Sequence, residues 1–343
     1  MTADNQNRLS LVSDWPAHRL AGQRLMVGFD GTQLEPTLTE IIEKLQVGGI
    51  ILFTRNIVDP DQLRGLCASI QDCARQAGAP PLFISIDQEG GPVARLKPPF
   101  TQFPGPSEMK SKAQVKQFAR VTAKELGAVG VNMNMAPVLD LLPEGSPSVM
   151  ADRSFGADPG RVCAMGTAVI RHLQRRNIMA VAKHFPGIGR TTDDSHIDMP
   201  RLEAGLDALE ASDLIPFHAA IEAGVSAVML AHIFYPAIDS RWPASLSPAI
   251  ARDLLRGAMN YEGVVITDDL DMGAIKKHFP IETVIRQVET ADIDIALICH
   301  AGPDIARAHE ILTRDVRTSA ALRTRTVASV ERILRLKNRY LLS

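Results

Sequence analysis

The chain has 343 residues, a hydrophobic fraction of 45% and a charged fraction of 22%. These proportions are typical of soluble globular proteins and exclude disorder as the main state. Lys plus Arg total 37 and Asp plus Glu total 39, which gives a formal net charge of -2. That balance indicates neither a nucleic-acid footprint nor a polybasic membrane surface. Aromatic residues make up only 5%, so a sugar site built mainly from stacked aromatic rings is not expected.

The cysteines and the N-terminus bear on the cellular compartment. Cys67, Cys73, Cys163 and Cys299 form no CxxC pair and no Cys/His spacing typical of metal ligands, which favours reduced thiols in a cytosolic protein. The opening MTADNQNRLSLVSDW lacks the features of a signal peptide. No apolar run approaches the roughly 20 residues that span a bilayer. We therefore expect a cytoplasmic protein with no membrane and no nucleic-acid partner; no pattern indicates its oligomeric state.

Short apolar runs, each bounded by polar or glycine-rich stretches, recur along the chain. They are too short for helices and lack strict polar–apolar alternation, as is typical of parallel strands that are buried on both faces. We predict strands at 25–29, 49–53, 82–87, 131–135, 179–183, 227–231, 264–267 and 295–299.

Helix-like segments separate these runs, and this alternation predicts an α/β fold with a parallel sheet. The segments are 60–76, 114–129, 159–177, 213–223, 247–256 and 281–291, followed by a closing helix over 316–337. Eight strand candidates favour a (β/α)8 TIM-type barrel over an open sheet. Because no Gly- or Ser-rich linker divides the chain, we expect residues 1–343 to form a single domain.

Most of the predicted strands end in an ionisable or amide side chain. The C-terminal ends of barrel strands converge on one face, where the chemistry of such folds takes place. The alternative is that each strand simply ends where a polar loop begins, without forming a shared site. The residues at these ends are Asp87, Asn134, Lys183, His184, His232, Asp268 and His300.

The segment ITDDLDMGA, residues 266–274, places Asp268 at the end of an apolar strand. A carboxylate fixed on a rigid strand end suits a nucleophile aimed at an anomeric carbon. An N-cap of the next helix is an alternative that fits Asp269 or Asp271 better, because Asp268 still belongs to the strand. A divalent cation site is a third reading of the cluster.

The segment KHFPGIGRTTDDSHIDMP, residues 183–200, forms an unusually long loop after Lys183 and His184. Asp194 stands two residues before His196, and an aspartate can orient an imidazole and raise its pKa, as a general acid/base requires. A solvated polar loop is the alternative reading. A hydrolase triad around Ser195 lacks the GxSxG elbow, and a metal site lacks the HExxH spacing.

Two further segments carry candidate binding residues. In SIDQEGGPVARL, residues 85–96, Asp87 and Arg95 flank a glycine turn and could bind sugar hydroxyls or rigidify the loop as a pair. In ADRSFGADP, residues 151–159, Arg153 either reaches the pocket or lies on the surface.

Together these segments resemble glycoside hydrolase family 3, and within it the short bacterial β-N-acetylglucosaminidases of peptidoglycan recycling. The resemblance covers about residues 20–301. KHFPGxGxTxxDSHxxxP is its most specific motif, and IDQEGGxVxRL, DRSFGxDP, MLAHIxYP and TDDLxMGAI occur in the same order.

The resemblance implies one catalytic barrel domain that releases terminal N-acetylglucosamine by a retaining double displacement. Asp268 matches the nucleophile, and His196 matches the acid/base, which is paired with Asp194 on the loop. The positions that match those holding the sugar ring are Asp87, Arg95, Arg153, Lys183 and His184. The implied substrate is a small carbohydrate, either an N-acetylglucosaminyl muropeptide or a chitooligosaccharide, and neither a cofactor nor a metal is expected.

Two positions depart from the family pattern. Ile188 stands where PGHG has its histidine, and Arg190 stands where an aspartate is common. Neither departure touches the nucleophile or the Asp194–His196 dyad. A β-glucosidase or β-xylosidase, an N-acetylglucosaminide phosphorylase, a substrate-assisted mechanism and a non-catalytic sugar-binding protein are the alternatives.

Overall fold

Eight parallel strands close into a barrel in the computed structural model, which describes residues 12–143, 145, 148–191 and 198–342. Each strand pairs with the next along the chain, and the last pairs with the first, Leu25 opposite Ala296. The strands are β1 (Leu25–Val27), β2 (Gly49–Leu52), β3 (Phe83–Ile86), β4 (Met133–Asn134), β5 (Met179–Phe185), β6 (Ala227–Leu230), β7 (Val264–Asp269) and β8 (Ile295–Ile298). The predicted (β/α)8 barrel is confirmed.

The strands match the sequence prediction in position and differ in length. β4 retains only two residues, because from Met135 onward the chain turns through the Ala136–Pro137 bond, and proline has no N–H to donate to a ladder. β5 and β7 instead extend two residues further than predicted, which brings His184 and Asp268 into the strands themselves. Both side chains lie at irregular points of the barrel: the register shifts between Ala182 and Phe185 in β5, where the Lys183–His184 peptide bond is cis, and between Ile295 and Leu297 opposite the end of β7.

Helices surround the barrel and turn apolar faces towards it. They are Ala17–Gln23, Pro36–Glu40 continuing as Ile41–Leu45, Pro60–Gln76, Lys112–Ala128, Pro159–Gln174, Leu206–Glu210, Ile215–Glu222, Ala249–Ala258, Gly273–Lys276, Ile281–Thr290, Pro303–Thr318 and Ala320–Leu341. Side chains of Asp59, Ser111 and Asp158 accept N-terminal N–H groups of the helices that follow them. No helix in the described part of the chain is long and apolar enough to cross a membrane.

One predicted helix is confirmed with an extra neighbour, and another is divided. The helix predicted over 213–223 is present as Ile215–Glu222, and a separate short helix that was not predicted, Leu206–Glu210, precedes it. The closing helix over 316–337 is two helices, broken at Ser319, whose backbone is extended. The Ser319 hydroxyl accepts the N–H of Leu322 and so caps the start of the second helix. This cap favours an extended backbone at Ser319 over continuation of the first helix.

The barrel interior is filled by large apolar side chains, and its N-terminal end is closed by the last helix. Met26, Phe83 and Met179 pack in this core with Ile333 and further buried residues of that helix. A buried lysine side chain also lies here. Lys337 Nζ donates to Gln23 Oε1 at 2.8 Å and lies 5.0 Å from the centroid of the Phe83 ring.

Lys337→Met is expected to stabilise the protein at pH 7 by about 2 kcal/mol. Burial lowers the pKa of Lys337 to about 7 from 10.5. Between these pH values the unfolded chain holds a proton that the folded protein lacks, so stability rises with pH across this window, and the penalty is fully present below it. Urea unfolding of both proteins at pH 7 and pH 9.5 measures the effect. The advantage of the variant should shrink at pH 9.5, and an equal advantage at both pH values would contradict a neutral Lys337.

Candidate active site

A cavity of about 390 Å³ opens at the C-terminal ends of the barrel strands. Its size lies in the range of small-molecule sites. The six sequence-predicted site residues that the structure describes all line it: Asp87, Arg95, Arg153, Lys183, His184 and Asp268. Apolar side chains complete the wall, among them Phe53, Val149, Met150, Ile188 and Met272.

The Asp87 carboxylate, directly after β3, binds two positively charged side chains, Lys183 and Arg95. Its Oδ1 accepts a hydrogen bond from Lys183 Nζ at 2.8 Å, and its Oδ2 accepts one from Arg95 Nη2 at 3.1 Å. Burial alone would raise the pKa of Asp87, but these two cations outweigh it and hold the pKa well below the ordinary value. Arg95 also stacks over Phe53, with its Cζ 5.5 Å from the ring centroid. The carboxylate is therefore ionised and rigidly placed at the mouth of the cavity.

Glu89 binds two of the predicted site residues, Arg153 and Lys183, and it was not itself predicted from the sequence. Its carboxylate accepts two hydrogen bonds from Arg153, at 2.8 and 2.9 Å, and lies 2.6 Å from Lys183 Nζ. The side chain is 1% exposed. It belongs to a two-stranded hairpin, Gln88–Gly90 with Val93–Ala94, and Asn134 fixes the start of that hairpin through both backbone groups of Gln88. Arg153 thus lies in the pocket and not on the surface.

Asp140 orients His184, and it too was missed. Its Oδ2 lies 2.7 Å from His184 Nδ1, so it accepts the Nδ1–H and leaves Nε2 facing the cavity, 3.4 Å from Arg153 Nη2. Its Oδ1 also accepts the N–H of Ile188 at 2.8 Å. One fully buried carboxylate therefore holds both an imidazole of the cavity and the first turn of the loop that follows β5.

Asp268 lies at the end of β7 on the floor of the cavity. Burial on its own would raise the pKa of Asp268, but the nearby imidazoles of His232 and His184 and the N–H of Asp269 outweigh it, so that the pKa lies below its ordinary value. His232 is held by Ser245 Oγ and the Asp269 carbonyl, each at 2.7 Å. The arrangement keeps an ionised carboxylate facing a small polar cavity, as a nucleophile requires.

The acidic residues after Asp268 form a hydrogen-bonded turn. Asp269 Oδ1 accepts the N–H groups of Asp271 and Cys299, each at 3.0 Å, and burial raises the pKa of Asp269 to about 6. The ligand atoms of Asp269, Asp271 and His300 lie within 4.8 Å of one another, but Lys276 Nζ already binds Asp271 at 2.9 Å. Neither aspartate caps the next helix, which begins after Met272 without a side-chain cap. The turn fixes the backbone beneath Asp268.

The loop after β5 is built on close backbone contacts. A Cβ at Gly189 would lie 1.9 Å from the Leu141 carbonyl oxygen, so only glycine fits. Ile188 turns its side chain into the cavity wall, and Arg190 binds the buried Asp213 at 2.7 Å. The two departures from the family pattern thus have defined places. Asp194, Ser195 and His196 lie outside the described residues.

Comparison with known proteins identifies the family. The profile described as "Glycosyl hydrolase family 3 N terminal domain" matches residues 19–336. The chain belongs to glycosyl hydrolase family 3. Proteins named beta-hexosaminidase from Alkalilimnicola ehrlichii and Thiobacillus denitrificans are each 37% identical to it. The first match covers 80% of both chains, and the second covers 88% of this chain and 84% of that protein.

Solved structures of the family have the same barrel. A glycoside hydrolase family 3 β-N-acetylglucosaminidase from Paenibacillus sp. is 36% identical with a TM-score of 0.90, covering 94% of this chain and 62% of that one. This chain thus matches only part of that longer protein. NagZ from Neisseria gonorrhoeae, solved with N-trifluoroacetyl-D-glucosamine, is 28% identical with a TM-score of 0.73, covering 90% of this chain and 98% of that one.

Proposed function

We propose that this protein is a retaining exo-β-N-acetylglucosaminidase, and that residues 1–343 form one catalytic domain. The observation that carries the proposal is the ionised Asp268 on the floor of a small cavity whose polar wall is a connected set of charged side chains. Family membership and the beta-hexosaminidases among the relatives support the same reaction class. A cavity of this size favours one terminal ring over a long polysaccharide.

The proposed reaction has two displacements at the anomeric carbon. In the first, a carboxylate oxygen of Asp268 forms a bond to that carbon while the glycosidic bond breaks, and His196 gives its proton to the departing oxygen. In the second, His196 takes a proton from water, the water oxygen bonds to the anomeric carbon, and the bond to Asp268 breaks. Asp194 keeps His196 in the required tautomer. The configuration is retained because two inversions occur.

The other lining residues would hold the ring over Asp268. Asp87 accepts hydrogen bonds from hydroxyls, while Arg95, Arg153 and Lys183 donate charge-assisted bonds to hydroxyl or acetamide oxygens. His184 Nε2 faces the ring because Asp140 binds its other nitrogen. The NagZ complex with an N-acylated glucosamine supports an N-acetylglucosaminyl substrate, such as a muropeptide or chitooligosaccharide. Peptidoglycan recycling and a cytoplasmic location stay predictions.

Comparing hydrolysis of aryl N-acetylglucosaminide, aryl glucoside and aryl xyloside by the purified protein tests the proposal. We expect kcat/KM for the first substrate to exceed the others by at least about 100-fold, because a site that hydrogen-bonds a group rejects analogues lacking it. A higher kcat/KM for the glucoside or the xyloside would contradict the proposed substrate and favour a β-glucosidase or β-xylosidase. Formation of sugar 1-phosphate in phosphate buffer would show that the enzyme catalyses phosphorolysis and not hydrolysis.

His196→Ala is expected to slow hydrolysis of a disaccharide substrate by about 100-fold or more, the usual contribution of a general acid. An aryl glycoside with an acidic phenol as leaving group should slow far less in its first displacement, because that phenolate leaves without a proton. Burst-phase and steady-state kinetics on both substrates measure the difference. His218→Ala, which removes an exposed imidazole outside the cavity lining, is the control. An equal loss on both substrates in the bond-breaking step would contradict an acid role for His196.

A further inference from the structure

A broad cationic surface lies around the C-terminal end of helix Pro159–Gln174, away from the catalytic cavity. We call it the arginine face. All of its basic side chains are exposed, and among the described residues none of them forms an ion pair or a side-chain hydrogen bond. They are Lys116 and Arg120 on helix Lys112–Ala128, Arg171 at the end of helix Pro159–Gln174, Arg175 and Arg176 in the turn that follows it, and Arg339 on helix Ala320–Leu341.

The centre of the arginine face is concave. Arg171, Arg175 and Arg339 line a shallow pocket of about 350 Å³ together with Gln174 and Asn177, and none of the described residues in that lining is acidic. Guanidinium groups present forked donors that match phosphate oxygens. The geometry therefore favours a phosphate-bearing ligand over a neutral one.

A groove of about 720 Å³ with a mainly apolar lining adjoins this pocket and shares Asn177 and Tyr340 with it; its polar lining includes the ion pair of Asp72 and Arg75. Ile178, Leu341 and Leu342 also line the groove, which lies at the N-terminal ends of the barrel strands. The Leu342 side chain is 53% exposed, although it is large and apolar. Cations beside an exposed apolar side chain are the combination that binds a membrane interface.

The positive charges on this face lie close enough together to lower the pKa of a neighbouring residue, His172. Burial lowers the pKa of His172, and the cations Arg175, Lys116, Arg120 and Arg176 lower it further. A basic residue in the last turn of a helix stabilises that helix end, but this accounts for neither Lys116 nor Arg120, which belong to the interior of the neighbouring helix. Repulsion among these groups is relieved when an anionic surface covers them.

We propose that the arginine face docks on a bilayer that contains anionic phospholipids. The arginines bind lipid phosphates, and Leu342 enters the boundary between headgroups and acyl chains. The catalytic cavity opens at the opposite ends of the strands and stays accessible to substrate in water. Nucleic acid fits less well, because Tyr340 is buried and the face offers no exposed aromatic ring for stacking. Docking of this kind requires no membrane-spanning helix, and it replaces the expectation, drawn from the net charge, that the protein has no membrane partner.

Sedimentation with vesicles of phosphatidylcholine, with and without phosphatidylglycerol, tests the proposal on the full chain. We expect binding only to the vesicles that contain phosphatidylglycerol, and loss of that binding at high salt, because the contacts are electrostatic. Equal binding to both vesicle types, or to neither, would overturn the proposal. Preference for duplex DNA over these vesicles would assign the face to nucleic acid instead.

Charge-reversed variants locate the surface. The triple variant Arg171→Glu, Arg175→Glu and Arg339→Glu should bind phosphatidylglycerol vesicles about 100-fold more weakly, at roughly fivefold per cation removed. The matched control reverses the exposed cations Lys44, Arg64 and Arg252, which already have acidic partners. Equal loss in both triples would mean that net charge alone matters and would overturn the assignment.

Two further measurements separate docking from folding and from catalysis. Changing the same arginines to Gln should also weaken vesicle binding while keeping the unfolding temperature of the parent protein, and retained binding would overturn the proposal. Leu342→Ser should weaken binding severalfold without removing charge; unchanged binding would exclude its insertion into the bilayer. Hydrolysis of a soluble aryl glycoside should be unchanged in every variant, so the docking test does not depend on the proposed function.

Discussion

Asp268→Asn is expected to reduce kcat by about 10,000-fold or more, the size of loss seen when a nucleophile is removed. The amide keeps the shape of the carboxylate and can still accept the N–H of Asp269, a bond of 2.8 Å in the parent protein. It cannot form the glycosyl ester, so the loss should fall on kcat for every leaving group. Steady-state kinetics with an aryl N-acetylglucosaminide and a disaccharide measures it.

Asp271→Asn is the matched control, because Asp271 lies in the same turn but does not line the cavity. Its activity should stay within a few-fold of the parent protein. A fluorinated, slowly turned-over substrate should leave a sugar covalently attached to Asp268, detectable by mass spectrometry of peptides. Normal activity of the Asp268→Asn variant would show that Asp268 is not the nucleophile. Normal turnover of the parent protein without any adduct would favour the acetamide of the substrate as nucleophile.

Glu89→Ala is expected to lower the free energy of unfolding by about 3–5 kcal/mol, because it leaves the buried Lys183 and the partly buried Arg153 without their shared partner. Lys183 and Arg153 are 3% and 17% exposed, and both bind this carboxylate. Freed of Glu89, they should also lose the positions needed for the sugar, and KM should rise. Urea denaturation and kinetics on the same preparation measure the two effects.

Two variants make the Glu89 test specific. Glu89→Gln keeps the shape and one acceptor oxygen, so its loss of stability should be smaller than that of the alanine variant. Glu203→Ala removes a carboxylate from an exposed ion pair with Arg201, and its stability should change by less than about 0.5 kcal/mol. A loss below about 1 kcal/mol in Glu89→Ala would show that Lys183 and Arg153 do not depend on it.

Local sequence patterns were sufficient for the architecture. Apolar runs without alternation identify strands that are buried on both faces, because each strand of a parallel barrel packs against core on one side and helices on the other. The pattern failed where local chemistry competes with it. Ser319 ends one helix and caps the next in a region of uniform helical character, and Ala136–Pro137 shortens β4.

Several polar residues that line the cavity were also predictable, since Asp87, Lys183, His184 and Asp268 lie at or near the C-terminal ends of strands that the topology brings to one face. Glu89 and Asp140 were not. Each is one polar residue in an ordinary segment, and its partners stand far along the chain: 64 residues separate Glu89 from Arg153, and 44 separate Asp140 from His184. Their burial and pairing exist only after the barrel closes.

By itself, the sequence determined the barrel, its family and the chemistry available at the strand ends, because these depend on periodicity and on motifs that are local in the chain. The tertiary structure decided which carboxylates hold the binding residues in place and where the charge lies. A net charge of -2 sums over the whole chain, whereas electrostatic attraction falls with distance and depends on position. Only folding places Arg171, Arg175 and Arg339 around one pocket whose lining, among the residues that the structure describes, includes no acidic side chain.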